Sequence, residues 1–549
     1  MISLSHISML PSAPVTTDGY KLGHGDQQPP KTEGFYFNLT PRSDAIARRA
    51  KTVLPDFDGK VVWAGGHHLV SWYLRDFWNE TFFSVPREVA VSRQKEFADA
   101  YVGKDAVSNK CWGELHDLGY LPLIVKALPE GARVPMGVTP ITWRESLPAF
   151  AWLPGYLESA ISTEVWGTTT VSTVAFEYKR LFTHYAKLTG SDVGFVNFQS
   201  HDFSYRSLKG ILDGAHRQIA HLFSSVGTDT CAAIEHVSKY YAPKDTNHQI
   251  GSTVAATQHS IASLNIQWEL SKISATLDQN TKLLLAECAF LKRLITEVYP
   301  TGIVSYVADT YDHFGLLTEV LPALKDIILA RVPNEQGLAK LVIRGDSGDP
   351  IKIICGDPEA ELGSPEYKGS LQLLWEVFGG TVNEEGFKVL NPRVGFIYGD
   401  GMNLVRCQEV LEKMYHAGWA SSNLIVGPGG YTYQFITRDN FGIAVKSTYA
   451  VVDGKGIELY KDPKTGDGTK KSARGLLRVE HENGTYVQYQ SQTEAQEREG
   501  ALKVIFLDSE VFTPYTTHID EIRLKLEAEV YWNGPAQAVK KPLLKGIWL

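Results

Sequence analysis

The chain has 549 residues, 43% of them hydrophobic, and a formal net charge of −8. That length supports roughly three or four domains, and the acidic balance excludes nucleic acid or an anionic membrane as the main partner, because both need a basic surface. Five Cys, at 111, 231, 288, 355 and 407, form no Cys-x-x-Cys pair and read as the reduced thiols of a cytoplasmic protein.

The N-terminal "MISLSHISML" lacks the basic start of a secretion signal, and no run approaches the ~18 apolar residues of a membrane span. Residues 1–165 mix strand and helix patterns, as in "GFYFNL" and "KVVWAGGHHLVSWYLRDFW". Residues 166–440 follow another rhythm from about 190 onward. A short apolar run ends in a polar or Gly-rich cluster, and a helical pattern follows. The runs are "VGFVNFQSHDFSYR", "AHLFSSVGTDT", "IVSYVADTYD", "LVIRGDSGDP", "VGFIYGDG" and "NLIVGPGG". After "GDGMN", Leu404, Cys407, Leu411 and Met414 fall at helical spacing, with Asn403 placed to cap and Gly418 to stop the helix. Apolar strands alternating with helices indicate an α/β fold with a parallel sheet. Polar clusters repeated at the strand ends point to a barrel-type site, with an open doubly wound sheet as the alternative. Residues 441–549 are rich in strands, and Asn483-Gly484 is a hairpin signal.

The strand-end clusters carry legible chemistry. "HDFSYR" offers His201, Phe203 and Arg206; "GTDT" offers Asp229; "TQHS" offers His259; "ADTYD" offers Asp309; "IRGDSGDP" offers Arg344 and Asp346; "GDG" offers Gly399 and Asp400; "GPGG" offers Gly429 and Gly430, with Arg438 following. Two Arg from different strands suit a diphosphate, which guanidinium binds bidentately. An Asp at a strand end accepts two hydroxyl protons from a ribose diol. A Gly pair lets backbone N–H groups approach a phosphate, and an aromatic ring suits a flat base. Singly, each of these is more often a cap, a turn or a structural residue. Together they imply a phosphorylated sugar beside an aromatic ring. "GDGTKKS" at 466–472 fails the Walker spacing and reads as an exposed hairpin tip.

In order and spacing, "TTDGYKLGHGDQQPPKT", "FQSHDFSYRS", "GTDT", "TQHS", "ADTYD", "IRGDSGDP", "YGDG", "GPGGYTYQFITRD" and "YKDP" resemble the type II phosphoribosyltransferases that act on nicotinamide. The resemblance spans nearly the whole chain. It implies an irregular TIM-like α/β barrel, with a mixed α+β domain built from the N- and C-terminal segments. It implies transfer from phosphoribosyl pyrophosphate to nicotinamide, a homodimer with shared active sites, Mg²⁺, and ATP as an assisting substrate. By resemblance, Phe203 and the partner's Tyr20 sandwich the base, Asp229 faces its ring substituent, and His201 and Thr253 are further substrate-binding residues. Arg206 and Arg344 hold the diphosphate, and Asp346 the ribose diol. Gly399, Asp400, Gly429, Gly430 and Arg438 hold the mononucleotide. Arg42, from the partner, and Lys446 are further phosphate contacts, and Lys461 and Lys470 lie near the entrance. His259 is the phosphorylated histidine, oriented by Asp309. Three features depart from the pattern: Gln258 stands where Glu is usual, which predicts weaker ATP stimulation; Pro428 replaces a Ser; and the stretch around 355–370 reads as a surface insertion. Asp229 favours an amide over nicotinate. Two competing readings, a glycosidase using Asp309 and Asp346 and a silent nucleotide-binding dimer, leave the two Arg or the retained His259 without purpose.

Overall fold

The computed structural model describes residues 10–242, 249–462, 464 and 472–530. In chain order, strands β1 (Thr32–Thr40), β2 (Leu123–Ala127) and β3 (Ile141–Glu145) precede helix α1 (Glu158–Leu188). Helices α2 (Ile211–Arg217) and α3 (Cys231–Tyr240) follow, then β4 (Ala255–Ala256) and α4 (His259–Leu270). Next come β5 (Gly302–Val307), β6 (Ala339–Gly345), β7 (Val394–Tyr398), α5 (Leu404–His416) and β8 (Leu424–Val426). The C-terminal part holds β9 (Ala444–Val452), β10 (Lys455–Glu458), β11 (Leu476–Glu482), β12 (Thr485–Gln492), β13 (Lys503–Leu507), β14 (Glu510–Val511) and α6 (Ile519–Ala528).

Two sheets organise these elements into a mixed α/β fold. An antiparallel sheet runs β10-β9-β1-β3-β2-β13-β14, so residues from both ends of the chain share one layer. Phe37 pairs with Ser447 on one side and Trp143 on the other. A parallel sheet runs β8-β7-β6-β5-β4. Isolated parallel bridges join Gly227 to Ser252, Asp202 to Thr228 and Ser200 to Val426, and so carry the pairing from the segment beside β4 back to β8. The parallel strands are buried on both faces, which explains their near-continuous apolar reading.

α1 is Thr-rich yet buried. Thr169 donates to the Ala64 carbonyl at 2.9 Å, and Thr173 donates to the carbonyl of Thr169 at 2.8 Å, so these hydroxyls enter the core satisfied. α1 crosses residue 165, so the expected boundary between the first two segments falls inside one continuous helix. The core around the parallel sheet also takes in Val62 and Ala64 from the first segment and Ile519, Ile522 and Leu526 from α6.

The α5 region forms as expected. The Asn403 side chain accepts from the Arg406 N–H, Leu404, Cys407, Leu411 and Met414 are buried, and Gly418 has φ +77°. Each such burial contributes about 1.5–3 kcal/mol for an aliphatic side chain. The β11–β12 hairpin turns through Asn483 (φ 49°) and Gly484 (φ 77°), the left-handed pair that an Asn-Gly turn supplies. Two runs expected as strands are not. Val193–Gln199 is helical, and Gln218–Phe223 is a 3₁₀ helix. Ile219, Leu222 and Phe223 are all fully buried, and an apolar run buried all round has no period to separate helix from strand. Within the 355–370 stretch, Leu362 is exposed, but the ends are pinned. A Cβ on Gly356 would meet the Tyr367 carbonyl oxygen at 2.1 Å. The tip at 466–471 lies outside the described residues.

Candidate active site

Because the strands are parallel, their carboxyl ends share one side of the sheet, and the segments that follow them meet there. The first group comes from segments at 200–203, 227–229, 252–253 and 426–428, which isolated parallel bridges join to one another. The His201 and Asp202 N–H groups donate to the carbonyls of Val426 and Gly227 at 2.8 and 3.0 Å, and the Phe203 N–H donates to that of Pro428 at 2.9 Å. The bond to residue 428 uses a backbone carbonyl, so it does not depend on the side chain there. The Phe203 ring lies 5.0 Å from that of His201. Two glycines make room for its Cδ2–Cε2 edge: a Cβ on Gly427 would stand 2.1 Å from its Cδ2, and one on Gly399 would stand 3.3 Å from its Cε2. Gly427 escaped the sequence reading. Its signal was a glycine directly after a buried strand.

Asp229 closes this group. His201 Nε2 lies 3.0 Å from Asp229 Oδ1, and the Thr253 hydroxyl donates to the same oxygen at 2.7 Å. Burial alone would raise the Asp229 carboxyl, but His201, Thr253 and the Arg344 charge outweigh it and hold it below the usual range. The carboxyl is therefore ionised at neutral pH.

The ends of β5, β6 and β7 supply the second group. Arg344 Nη2 lies 3.7 Å from Asp346 Oδ2, and Arg344 Nε is buried with no hydrogen-bond partner among the described residues. Burial raises the Asp346 carboxyl; Arg344 and His259 pull it down, while Asp309 and Asp400 push it up. A Cβ on Gly399 would meet Asp346 Oδ1 at 2.6 Å, so that glycine also makes room for this acid. Asp309 Oδ1 lies 3.0 Å from His259 Nε2 at the start of α4, and Asp309 Oδ2 accepts from the Ser347 hydroxyl at 2.5 Å. Ser347 was also missed, although it stands inside the "IRGDSGDP" run. Gln258 precedes the helix, and its side chain accepts from Ser260 at 2.8 Å. Arg206 is exposed in the turn Tyr205–Ser207, and Ser207 packs against Gly430. Asp400 is exposed, and Gly429 has no neighbour within 4 Å of a Cβ placed on it.

The remaining predicted residues gather elsewhere around the antiparallel sheet. Tyr20 is 63% exposed and feels the charges of Asp18, Glu158 and Arg438. Burial lowers the Arg42 guanidinium, and Arg438 lowers it further. Burial likewise lowers the Lys446 ammonium, helped by Arg42, Lys461 and Arg438. Within one chain Tyr20, Arg42 and Lys446 thus all feel the charge of Arg438, and Lys446 also feels Lys461. The Tyr20 ring lies 5.4 Å from that of His24. Lys470 lies outside the described residues.

The model of the nicotinate phosphoribosyltransferase (NAPRTase) family matches residues 198–506, which include every parallel strand and strand-end group just described. The chain belongs to this family. A member from Acinetobacter baylyi, named nicotinamide phosphoribosyltransferase, is 45% identical over 93% of this chain and 96% of its own length. One of the same name from Xanthomonas campestris is 28% identical over 94% of this chain and 98% of its own. The crystal structure of human nicotinic acid phosphoribosyltransferase superposes with a TM-score of 0.50 at 13% identity, covering 93% of each chain, a likeness of fold. Among the described residues no helix is long and apolar enough to cross a membrane.

Proposed function

We propose that this member of the family joins nicotinamide to phosphoribosyl pyrophosphate, giving nicotinamide mononucleotide and pyrophosphate in NAD biosynthesis. The observation that carries the choice of base is Asp229, an ionised carboxylate fixed by His201 and Thr253 beside the Phe203 ring. It accepts the amide N–H of nicotinamide and repels the carboxylate of nicotinate. At 4 Å that repulsion is roughly 1–4 kcal/mol between solvent-like and surface dielectric constants, and the 49% exposure of Asp229 places it toward the lower end.

The other groups serve the bond that breaks. As the C1–diphosphate bond opens, positive charge grows on the ribose and negative charge on the leaving group. Arg344, whose Nε has no hydrogen-bond partner among the described residues, and Arg206 receive the leaving diphosphate. Asp346 accepts the ribose hydroxyls. Phe203, clamped by Gly399 and Gly427, sets the plane from which the ring nitrogen attacks. Burial disfavours the charged forms of Arg42 and Lys446, Arg438 adds to this at both and Arg42 adds to it at Lys446, a cost that an anionic phosphate offsets. We read Tyr20 and this cationic group as acting on the partner's site in a homodimer. Asp346 and Asp400, carboxylates close enough to feel each other, are a hard oxygen donor set that fits Mg²⁺. Mg²⁺, when bound, supplies countercharge to the diphosphate. His259 Nε2 is engaged by Asp309, which leaves Nδ1 to attack the γ-phosphorus of ATP, forming an N–P bond and releasing ADP.

Two finer structural readings go with this function. The parallel pairings that return from Ser252 to Val426 support an irregular TIM-like barrel for 166–440. The shared antiparallel sheet supports one mixed domain built from 1–165 and 441–549. The five free thiols suit the cytoplasm. The test combines protein, phosphoribosyl pyrophosphate and Mg²⁺ with nicotinamide or nicotinate, with and without ATP, and measures mononucleotide. Preferential use of nicotinamide is expected. Equal or better use of nicotinate overturns the choice of base.

A further inference from the structure

Away from these groups, four side chains from four separate segments converge. His68 sits in a helical segment that continues through Leu69–Phe77, Glu164 is on α1, His216 on α2 and His236 on α3. His68 Nε2 lies 3.0 Å and His216 Nδ1 3.7 Å from Glu164 Oε2, and one donor atom from each of the three residues lies within 4.8 Å of the others. Around a tetrahedral zinc with bonds of about 2.0–2.1 Å, neighbouring donors stand about 3.3 Å apart, and the two shorter separations bracket that spacing.

From this geometry we propose that His68, Glu164 and His216 form a binding site for a divalent transition metal, Zn²⁺ by donor type, with water as fourth ligand. Two imidazoles and a carboxylate are borderline donors that favour zinc over Mg²⁺ or Ca²⁺. The outer support is built. His68 Nδ1 lies 2.9 Å from His236 Nε2, and the His68 ring stacks on Trp72 at 5.4 Å with 8° between planes. The His216 ring contacts Trp72 at 4.1 Å. Without metal, His68 donates from Nε2 to Glu164 and accepts at Nδ1 from His236. On binding, the His68 proton moves to Nδ1 and is donated to His236 Nε2, whose own proton moves to the other ring nitrogen. Nε2 of His68 is freed for the metal with no net proton gained or lost. Glu164, 21% exposed, gives the entry path. The ion would tie the segment after β1 to α1 and α2, a stabilising role independent of the reaction proposed above.

The test strips the full-length protein with chelator and titrates Zn²⁺, and Co²⁺ as a visible-absorption probe. One metal per chain, retained through gel filtration, is expected, with tetrahedral Co²⁺ bands and a higher Tm in Zn²⁺. His216→Leu and, as an isosteric second variant, Glu164→Gln should each lose that metal and the Tm response while keeping transferase activity. His236→Phe should weaken binding about 10–100-fold. No bound metal in the wild type, or binding unchanged in either ligand variant, overturns the site and leaves a hydrogen-bonded histidine cluster.

Discussion

Replacing Gly427 by Ala tests whether the Phe203 ring is held where catalysis needs it. The added Cβ would lie 2.1 Å from Phe203 Cδ2 and 2.5 Å from Cε2. That is about 1.4 Å inside the ~3.5 Å of normal carbon–carbon contact. Gly399 meets the same Cδ2–Cε2 edge and the Phe203 N–H is tied to the Pro428 carbonyl, so in this glycine clamp the ring yields by turning about its side-chain bonds. It must swing out of plane by more than an ångström. A misplacement of that size at a reacting centre costs about 100-fold in rate, or about 2.7 kcal/mol. The loss should appear in kcat/KM for nicotinamide, with KM for phosphoribosyl pyrophosphate little changed and a cooperative melt retained. The same substitution made in a Phe203→Ala background should cost almost nothing further, since the clash has then been removed. Near-wild-type activity for Gly427→Ala alone, or full additivity with Phe203→Ala, refutes the clamp.

Asp229→Ser should lower nicotinamide use and shift the preference toward nicotinate by roughly ten-fold, as the 1–4 kcal/mol range implies; an unchanged preference removes Asp229 as the discriminator. His259→Ala should abolish acid-labile labelling from γ-labelled ATP, and Gln258→Glu should raise ATP hydrolysis if the missing charge weakens coupling. Heterodimers of Tyr20→Ala with Arg206→Ala should recover toward half of wild-type activity, since one site then escapes both defects. Tyr20→Ala with Arg438→Ala should not recover, because those two residues gather on the same side of the chain. Glu287, buried against Tyr306 with a 2.9 Å hydrogen bond, has its carboxyl pushed up to about 7 by burial, so its stabilising protonated form is lost as pH rises from about 4.5 through 7. Glu287→Gln should flatten that part of the stability–pH curve and gain about 3 kcal/mol above it; an unchanged slope in denaturant midpoints counts against the assignment.

The sequence by itself determined what depends on near neighbours in the chain. Asn403 and Gly418 bracketing an amphipathic run give α5, Asn483-Gly484 gives the β11–β12 turn, and the apolar runs of β5 to β8 give buried parallel strands, each followed by its polar cluster. Those clusters named most of the candidate site, since the chemistry of phosphate, diol and flat ring fixes residue types. Where burial surrounds an element, as at Gln218–Phe223, no period remains to be read, and only packing decided for helix. Only the tertiary structure decided what touches what across the chain. It set β1 against β9, some 400 residues on, laid one edge of the Phe203 ring against Gly399 and Gly427, gathered Arg438 with Tyr20 and Arg42, and brought His68, Glu164, His216 and His236 together from four helices. Such contacts arise from closing long loops and filling a dense interior, and neither step leaves a periodic trace in the residues that meet.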